Sequence, residues 1–119
     1  EREAELQTWS QNRMLKTISA LDFAKDTKEN RAIIDVRTHE EYTAGHIARS
    51  QNIDFMSPDF AEEISKLDKE APYAIYCRSG NRSGQALRTM ESLGFTDVLD
   101  LQGGIVAWNG AGETLCTEC

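Results

Sequence analysis

No apolar run in this sequence approaches the length that a membrane-spanning helix needs, and no charged-then-apolar leader opens it. The expectation is a soluble chain, cytoplasmic, or exported if a signal preceded Glu1. The missing initial methionine implies that an initiator, tag or signal was removed upstream. Cations are scarce as well: 13 Lys and Arg against 20 Asp and Glu give a formal net charge of −7. That balance argues against nucleic acid and membranes as partners. Any anion the protein binds must then be held by local groups, and the surplus acids should sit away from that place. Three cysteines are too few for a disulfide-built mini-protein, and the odd count leaves at least one thiol free. Neither histidine has the spacing of a metal site. No repeat, low-complexity stretch or internal linker is found, so the 119 residues read as one domain and a monomer.

What the chain does contain is alternation. "AIIDV" (32–36), "SQNIDF" (50–55), "AIYC" (74–77) and "DVLDL" (97–101) are short and rich in Ile, Val, Phe and Tyr, which predicts strands. Between them lie helical patterns. "SALDFAKDTK" has Ser19 as N-cap, "HEEYTAG" follows, and in "SPDFAEEISKL" Ser57 caps with Pro58 in the first helical position. A longer helix carries Ala86, Leu87, Met90 and Leu93 on one face and stops at Gly94, with Phe95 folding back onto it. Strands joined by helices pair in parallel through right-handed crossovers, so the expected fold is an open α/β sheet with helices on both faces. The first fifteen residues, with Leu6, Trp9, Met14 and Leu15, read as an extra helix or arm. Residues 16–109 form the domain, and residues 110–119 read as a loose tail.

Ligands of such sheets sit at the carboxyl ends of the strands, where Cys77 ends "AIYC" and "CRSGNRSG" begins. A turn from strand to helix start leaves backbone N–H groups unpartnered, and successive amides can curl toward one point. Gly80 and Asn81 tolerate the positive φ that such a curl demands, and Gly84 would let the helix start pack closely. The helix dipole, Arg78 and Arg82 add positive charge. The first anion this nest stabilises is the thiolate of Cys77, which makes Cys77 the expected nucleophile. A small buried cysteine at a strand end would be the ordinary alternative. It does not explain two arginines, a glycine and an asparagine in the five positions that follow.

Three stretches, "IIDVRTHEEYTAGHI" (33–47), "YCRSGNRS" (76–83) and "LGFTDVLDLQGGIVAW" (93–108), together resemble the rhodanese-like sulfurtransferases of single-domain type. The resemblance implies a rhodanese-like open parallel sheet and an active-site loop starting at Cys77. It further implies that Cys77 takes a sulfane sulfur from thiosulfate, releases sulfite, holds a persulfide and passes the sulfur to cyanide or a thiol. The substrate-binding loop is then Arg78, Ser79, Gly80, Asn81, Arg82 and Ser83, with no metal or organic cofactor. Phosphatases of the cell-cycle dual-specificity type and arsenate reductases share the fold but carry the loop arginine six positions after the cysteine. Here Arg82 lies five positions on, which favours transfer of a single sulfur atom. A persulfide relay to a partner protein stays open beside the small-molecule reading. A non-catalytic binding module is disfavoured by the presence of Cys77.

Asp35 and Arg37 match the family's "DVR", and Glu41 and His46 its "EEY…GHI". Asp35 and Arg37 are expected to support the loop, and a charge network fixing the strand end is favoured over contact with substrate. Gly103, Gly104 and Trp108 are expected to pack beside the loop. Cys116 and Cys119 have the C-x-x-C spacing of redox pairs and metal half-sites, without a context that supports either. The tail that carries them is expected to be dispensable.

Overall fold

The computed structural model describes residues 14–28 and 31–117. Five strands, β1 (Met14–Ile18), β2 (Ala32–Asp35), β3 (Ser50–Asn52), β4 (Tyr73–Tyr76) and β5 (Asp97–Leu101), form one parallel sheet in the order β1-β5-β4-β2-β3. Among the described residues the helices are α1 (Ala20–Asp26), α2 (His39–Ala44), α3 (Phe60–Ser65), α4 (Asn81–Ser92) and α5 (Gly104–Gly110). The period-2 alternation of the strands separates two cores. Ile34, Val36, Ile75, Cys77 and Val98 face Phe60 and Ile64 of α3 and Ala86 and Met90 of α4. Ile33, Ala74, Tyr76 and Leu101 face Phe23 of α1 and Trp108 of α5. This is the expected sheet covered on both faces. From β2 the chain moves outward to β3, and from β4 it moves the opposite way to β5, so a crevice opens at the carboxyl ends of β2 and β4.

Local signals set most boundaries. Ser19 caps α1 by accepting from Asp22 N–H. α4 ends at Leu93, where Gly94 at φ 101° turns the chain and Phe95 N–H reaches back to Met90 O.

Three expectations are corrected. Met14 and Leu15 are strand, not the end of a helical arm. Leu15 and Ile18 are spaced like helix neighbours, yet they pack into the two opposite cores from a strand that, among the described residues, pairs only with β5; Leu6 and Trp9 lie outside the described residues. The helix after Pro58 starts later than its Ser-Pro pair suggests. Ser57 Oγ accepts from Asp59 N–H and Ser57 O from Phe60 N–H, so these residues make a turn before α3. The stretch after α5 is docked rather than loose. Trp108 Nε1 donates to Thr114 O at 3.1 Å, Leu115 joins the second core, and Cys116 and His46 exchange backbone hydrogen bonds of 2.7 and 2.8 Å. A single extended bridge has no period to announce it.

Candidate active site

β4 is buried along its whole length and delivers Cys77, 1% exposed, to the crevice. The chain then turns sharply. Gly80, at φ 105°, donates its N–H to Cys77 Sγ at 3.0 Å. The Cys77 carbonyl accepts from Ile105 N–H at 3.0 Å and the Arg78 carbonyl from Val106 N–H at 3.2 Å, both in the first turn of α5. With those two carbonyls drawn toward α5, they turn away from the sulfur, which the Gly80 N–H meets. The seat needs bare backbone: a Cβ on Gly104, at φ 59°, would overlap the Arg78 and Cys77 carbonyl oxygens, and one on Gly103 would meet Ala107 Cβ. The expected packing of Gly103 and Gly104 beside the loop is therefore seen in detail. α4 starts directly after Gly80, so the N–H groups of Asn81, Arg82 and Ser83 have no intrahelical partners and its dipole adds positive potential there.

The loop side chains do not all turn toward the sulfur. Arg78 and Ser79 are exposed, and Arg78 has no ion-pair partner among the described residues. Asn81 Oδ1 accepts from Gln85 Nε2 at 2.8 Å along the helix. Its φ is not positive; Gly80 alone makes that turn. Gly84 has nothing within 4 Å of an added Cβ, so close packing is not its role. Ser83 is buried, with its hydroxyl turned toward Gly80 O. Arg82 reaches away to α2, where Nη1 and Nη2 hold the two carboxylate oxygens of Glu41 at 2.8 and 3.1 Å.

That pair corrects the expectation that acids avoid the loop. Glu41 neutralises much of Arg82, and Asp54 also interacts with it electrostatically. Its hydrogen bond from Arg82 holds the Glu41 carboxyl down at about 2, against the opposing effect of burial. The Glu41 bonds and charge likewise raise the Arg82 guanidinium above its ordinary value. Glu41 also closes a capping box with Thr38 at the start of α2, so one carboxylate ties the helix after β2 to the loop after β4. A cavity of about 300 Å³ lined by Asp54, Asp59, Phe60 and Glu63 lies on the β3 side and does not include Cys77.

Asp35 and Arg37 form a buried pair, 0% and 3% exposed. Arg37 Nη2 donates to Asp35 Oδ2 and to Gly45 O, each at 2.6 Å. Burial pulls the guanidinium pKa down, but the Asp35 hydrogen bonds and charge outweigh it and raise it. Tyr76 OH donates to Asp35 Oδ2 at 2.7 Å and accepts from Ile47 N–H at 3.0 Å, with Ser50 Oγ at 3.1 Å. Burial, and then the Asp35 charge, raise the Tyr76 phenol. Asn52 Nδ2 spans the Asp35 and Arg37 carbonyls. This is the charge network expected at the strand end, and it grips the residue before Cys77. His46 stacks on Tyr42 with ring centroids 3.9 Å apart. Tyr76, Ser50 and Asn52 went unremarked in the sequence, although a tyrosine in an otherwise apolar central strand signals a hydroxyl that must find partners. Cys116 is disulfide-bonded while Cys77 is a free thiol; Cys119 lies outside the described residues.

Comparison with known proteins agrees with this geometry. The rhodanese-like domain family model matches residues 19–111. The "Probable adenylyltransferase/sulfurtransferase MoeZ" of Mycobacterium tuberculosis is 39% identical over 83 residues, 70% of this chain. The chain spans about a fifth of that protein's length, the match covering 21% of it. Thiosulfate sulfurtransferase GlpE of Pseudomonas fluorescens is 35% identical over 81 residues, covering 68% of this chain and 72% of that one. A crystal structure of a rhodanese-related protein from Thermoplasma volcanium superposes with a TM-score of 0.77 at 32% identity, covering 87% of this chain and 99% of that chain. A five-stranded parallel sheet, a cysteine-started loop before α4 and a family match across most of the sequence place this chain in the rhodanese-like domain family.

Proposed function

We propose that this protein is a sulfurtransferase that moves a sulfane sulfur from thiosulfate, or a related anionic donor, to a thiophilic acceptor through a persulfide on Cys77. The observation that carries the reading is the Gly80 N–H to Cys77 Sγ bond at 3.0 Å, within a loop whose carbonyls at Cys77 and Arg78 are taken up by α5. The Cys77 thiolate attacks the sulfane sulfur, the donor's S–S bond breaks, and sulfite leaves with the bonding pair. Sγ stays beside Gly80 N–H as the inner sulfur of the persulfide, and the new outer sulfur carries the negative charge next to the unpartnered N–H groups at the start of α4. Cyanide or a thiolate attacks the outer sulfur, and Cys77 departs as the thiolate it began as. Exposed Arg78 meets the incoming dianion, whereas Arg82, held by Glu41, keeps the loop in place. The names of the relatives, one a thiosulfate sulfurtransferase, support the same reading.

Initial rates at several thiosulfate and cyanide concentrations test it. A free persulfide intermediate gives parallel reciprocal lines. Clearly intersecting lines would count against it.

A further inference from the structure

Behind the loop, on the side of the sheet covered by α4, lies an acid that the mechanism above does not use. Val98 and Asp100 of β5 point toward α4, while Leu99 and Leu101 point to the other face. Asp100 is 2% exposed. Thr17 Oγ1 of β1 donates to its Oδ2 at 2.9 Å, but its Oδ1 is buried without a hydrogen-bond partner. β4 offers only Ile75 at the matching register, and the interactions of the carboxyl are with Thr17 and Ser83, with no charged side chain among them. An orphaned buried carboxylate oxygen is costly and calls for an explanation.

Ser83 supplies one. It is the third residue of α4, fully buried, with its hydroxyl within reach of Asp100. That hydroxyl is turned instead toward Gly80 O at 3.4 Å, long for an O–H···O bond. One proton faces two acceptors. Gly80 is also the residue whose N–H holds Cys77 Sγ. We propose that Asp100 is a positioning residue of this site, acting through the Ser83 hydroxyl on Gly80. With Asp100 ionised, Ser83 donates to Oδ1 and lets go of the Gly80 carbonyl. With a proton on Oδ1, Asp100 donates to Ser83 Oγ, and Ser83 donates to Gly80 O and firms the loop. Only a proton is taken up or released, and no bond between heavy atoms changes. Burial raises the Asp100 pKa, which brings the exchange nearer to working pH. Thr17 remains a donor to Oδ2 in both forms.

The inference rests on the sulfur-transfer reading for its assay. The test is the pH profile of thiosulfate-to-cyanide turnover for the wild type, Asp100→Asn, Ser83→Ala and the double variant, with sulfur uptake on Cys77 followed by intact mass. Asn is isosteric, donates to Ser83 permanently and cannot ionise. Asp100→Asn should therefore match wild type at low pH, exceed it by up to about fivefold at higher pH, the worth of one neutral hydrogen bond, and lose one ionisation from kcat. The thiosulfate KM should stay put, because Arg78 is untouched. Ser83→Ala should lose turnover by a similar factor at low pH, where the wild-type hydroxyl holds Gly80, and match wild type at higher pH, and adding Asp100→Asn to it should change nothing. An unaltered pH profile in Asp100→Asn, or an effect that persists without the Ser83 hydroxyl, overturns the link while leaving sulfur transfer intact. A wild type that takes up no sulfur overturns both.

Discussion

Tyr76 and Cys77 are adjacent in sequence and serve two arrangements on opposite faces of the sheet. Around Tyr76 most of the work is done by side chains: Asp35, Ser50 and Asn52 of β2 and β3 and Arg37 just after β2 close on one another and on the Ile47 N–H and the Gly45 carbonyl. Around Cys77 the work is done by backbone. Gly80 N–H meets the sulfur, α5 takes up the carbonyls, and glycines clear the space. The first arrangement is a lock whose Asp35, Arg37 and Tyr76 are buried. The second is an anion cradle with positive potential and few side chains of its own. A side chain removed from the lock should cost stability, and a methyl added to the cradle should cost turnover.

The largest effect is expected in the lock. Arg37→Ala leaves the Asp35 carboxylate in a dry site with its main cation gone, and should cost about 3–5 kcal/mol in urea unfolding. That is a large share of the roughly 5–15 kcal/mol a domain possesses. A cost below about 1 kcal/mol would mean that water or another cation fills the place. In the cradle, Gly104→Ala drives a Cβ into the Arg78 carbonyl. Turnover should drop by about a hundredfold or more for a stability loss of only about 1–3 kcal/mol. Comparable turnover would show that the α5 contact does not set the loop.

Between the two regions stands Glu41. Its carboxyl titrates at about 2 in the folded protein against an ordinary 4.5. A depressed folded value means that its contribution is complete above the ordinary value and disappears as pH falls through the folded one. Wild type should exceed Glu41→Gln in stability by about 1 kcal/mol near neutral pH, the pair being partly exposed, and the gap should close toward about pH 2. A gap that is constant with pH would assign the difference to the capping box instead of the ion pair. The smallest effect is a gain: Gly84→Ala, with open space for its methyl, should raise stability by roughly 0.5–1 kcal/mol and leave turnover alone. Lost turnover there would mean that a bare backbone is needed above the loop.

The two regions also differ in how far they could be read from sequence. The cradle is local: Cys77, Gly80 and the start of α4 lie within one short stretch, and Gly103 and Gly104 stand out because a glycine pair before a helix has few other uses. The lock is distributed. Tyr76 OH finds Ile47 N–H, Ser50 and Asp35 only through β2–β3 pairing, which no periodicity reveals. The Thr38–Glu41 capping box follows a T-x-x-E spacing in "THEE" that was not read as one, and no spacing shows that Arg82 shares its carboxylate. β1 was hidden because an edge strand with two apolar residues three apart imitates a helix, and the Cys116 bridge because it exists only opposite His46.

On the proposed mechanism the backbone cradle makes Cys77 the carrier of a transferred sulfur. Its most direct test is intact mass after brief exposure to thiosulfate, on wild type and on Cys77→Ser side by side. The wild type should gain one sulfur atom, cyanide should remove it, and folded Cys77→Ser should gain none. No gain in the wild type, or an equal gain in Cys77→Ser, would contradict it.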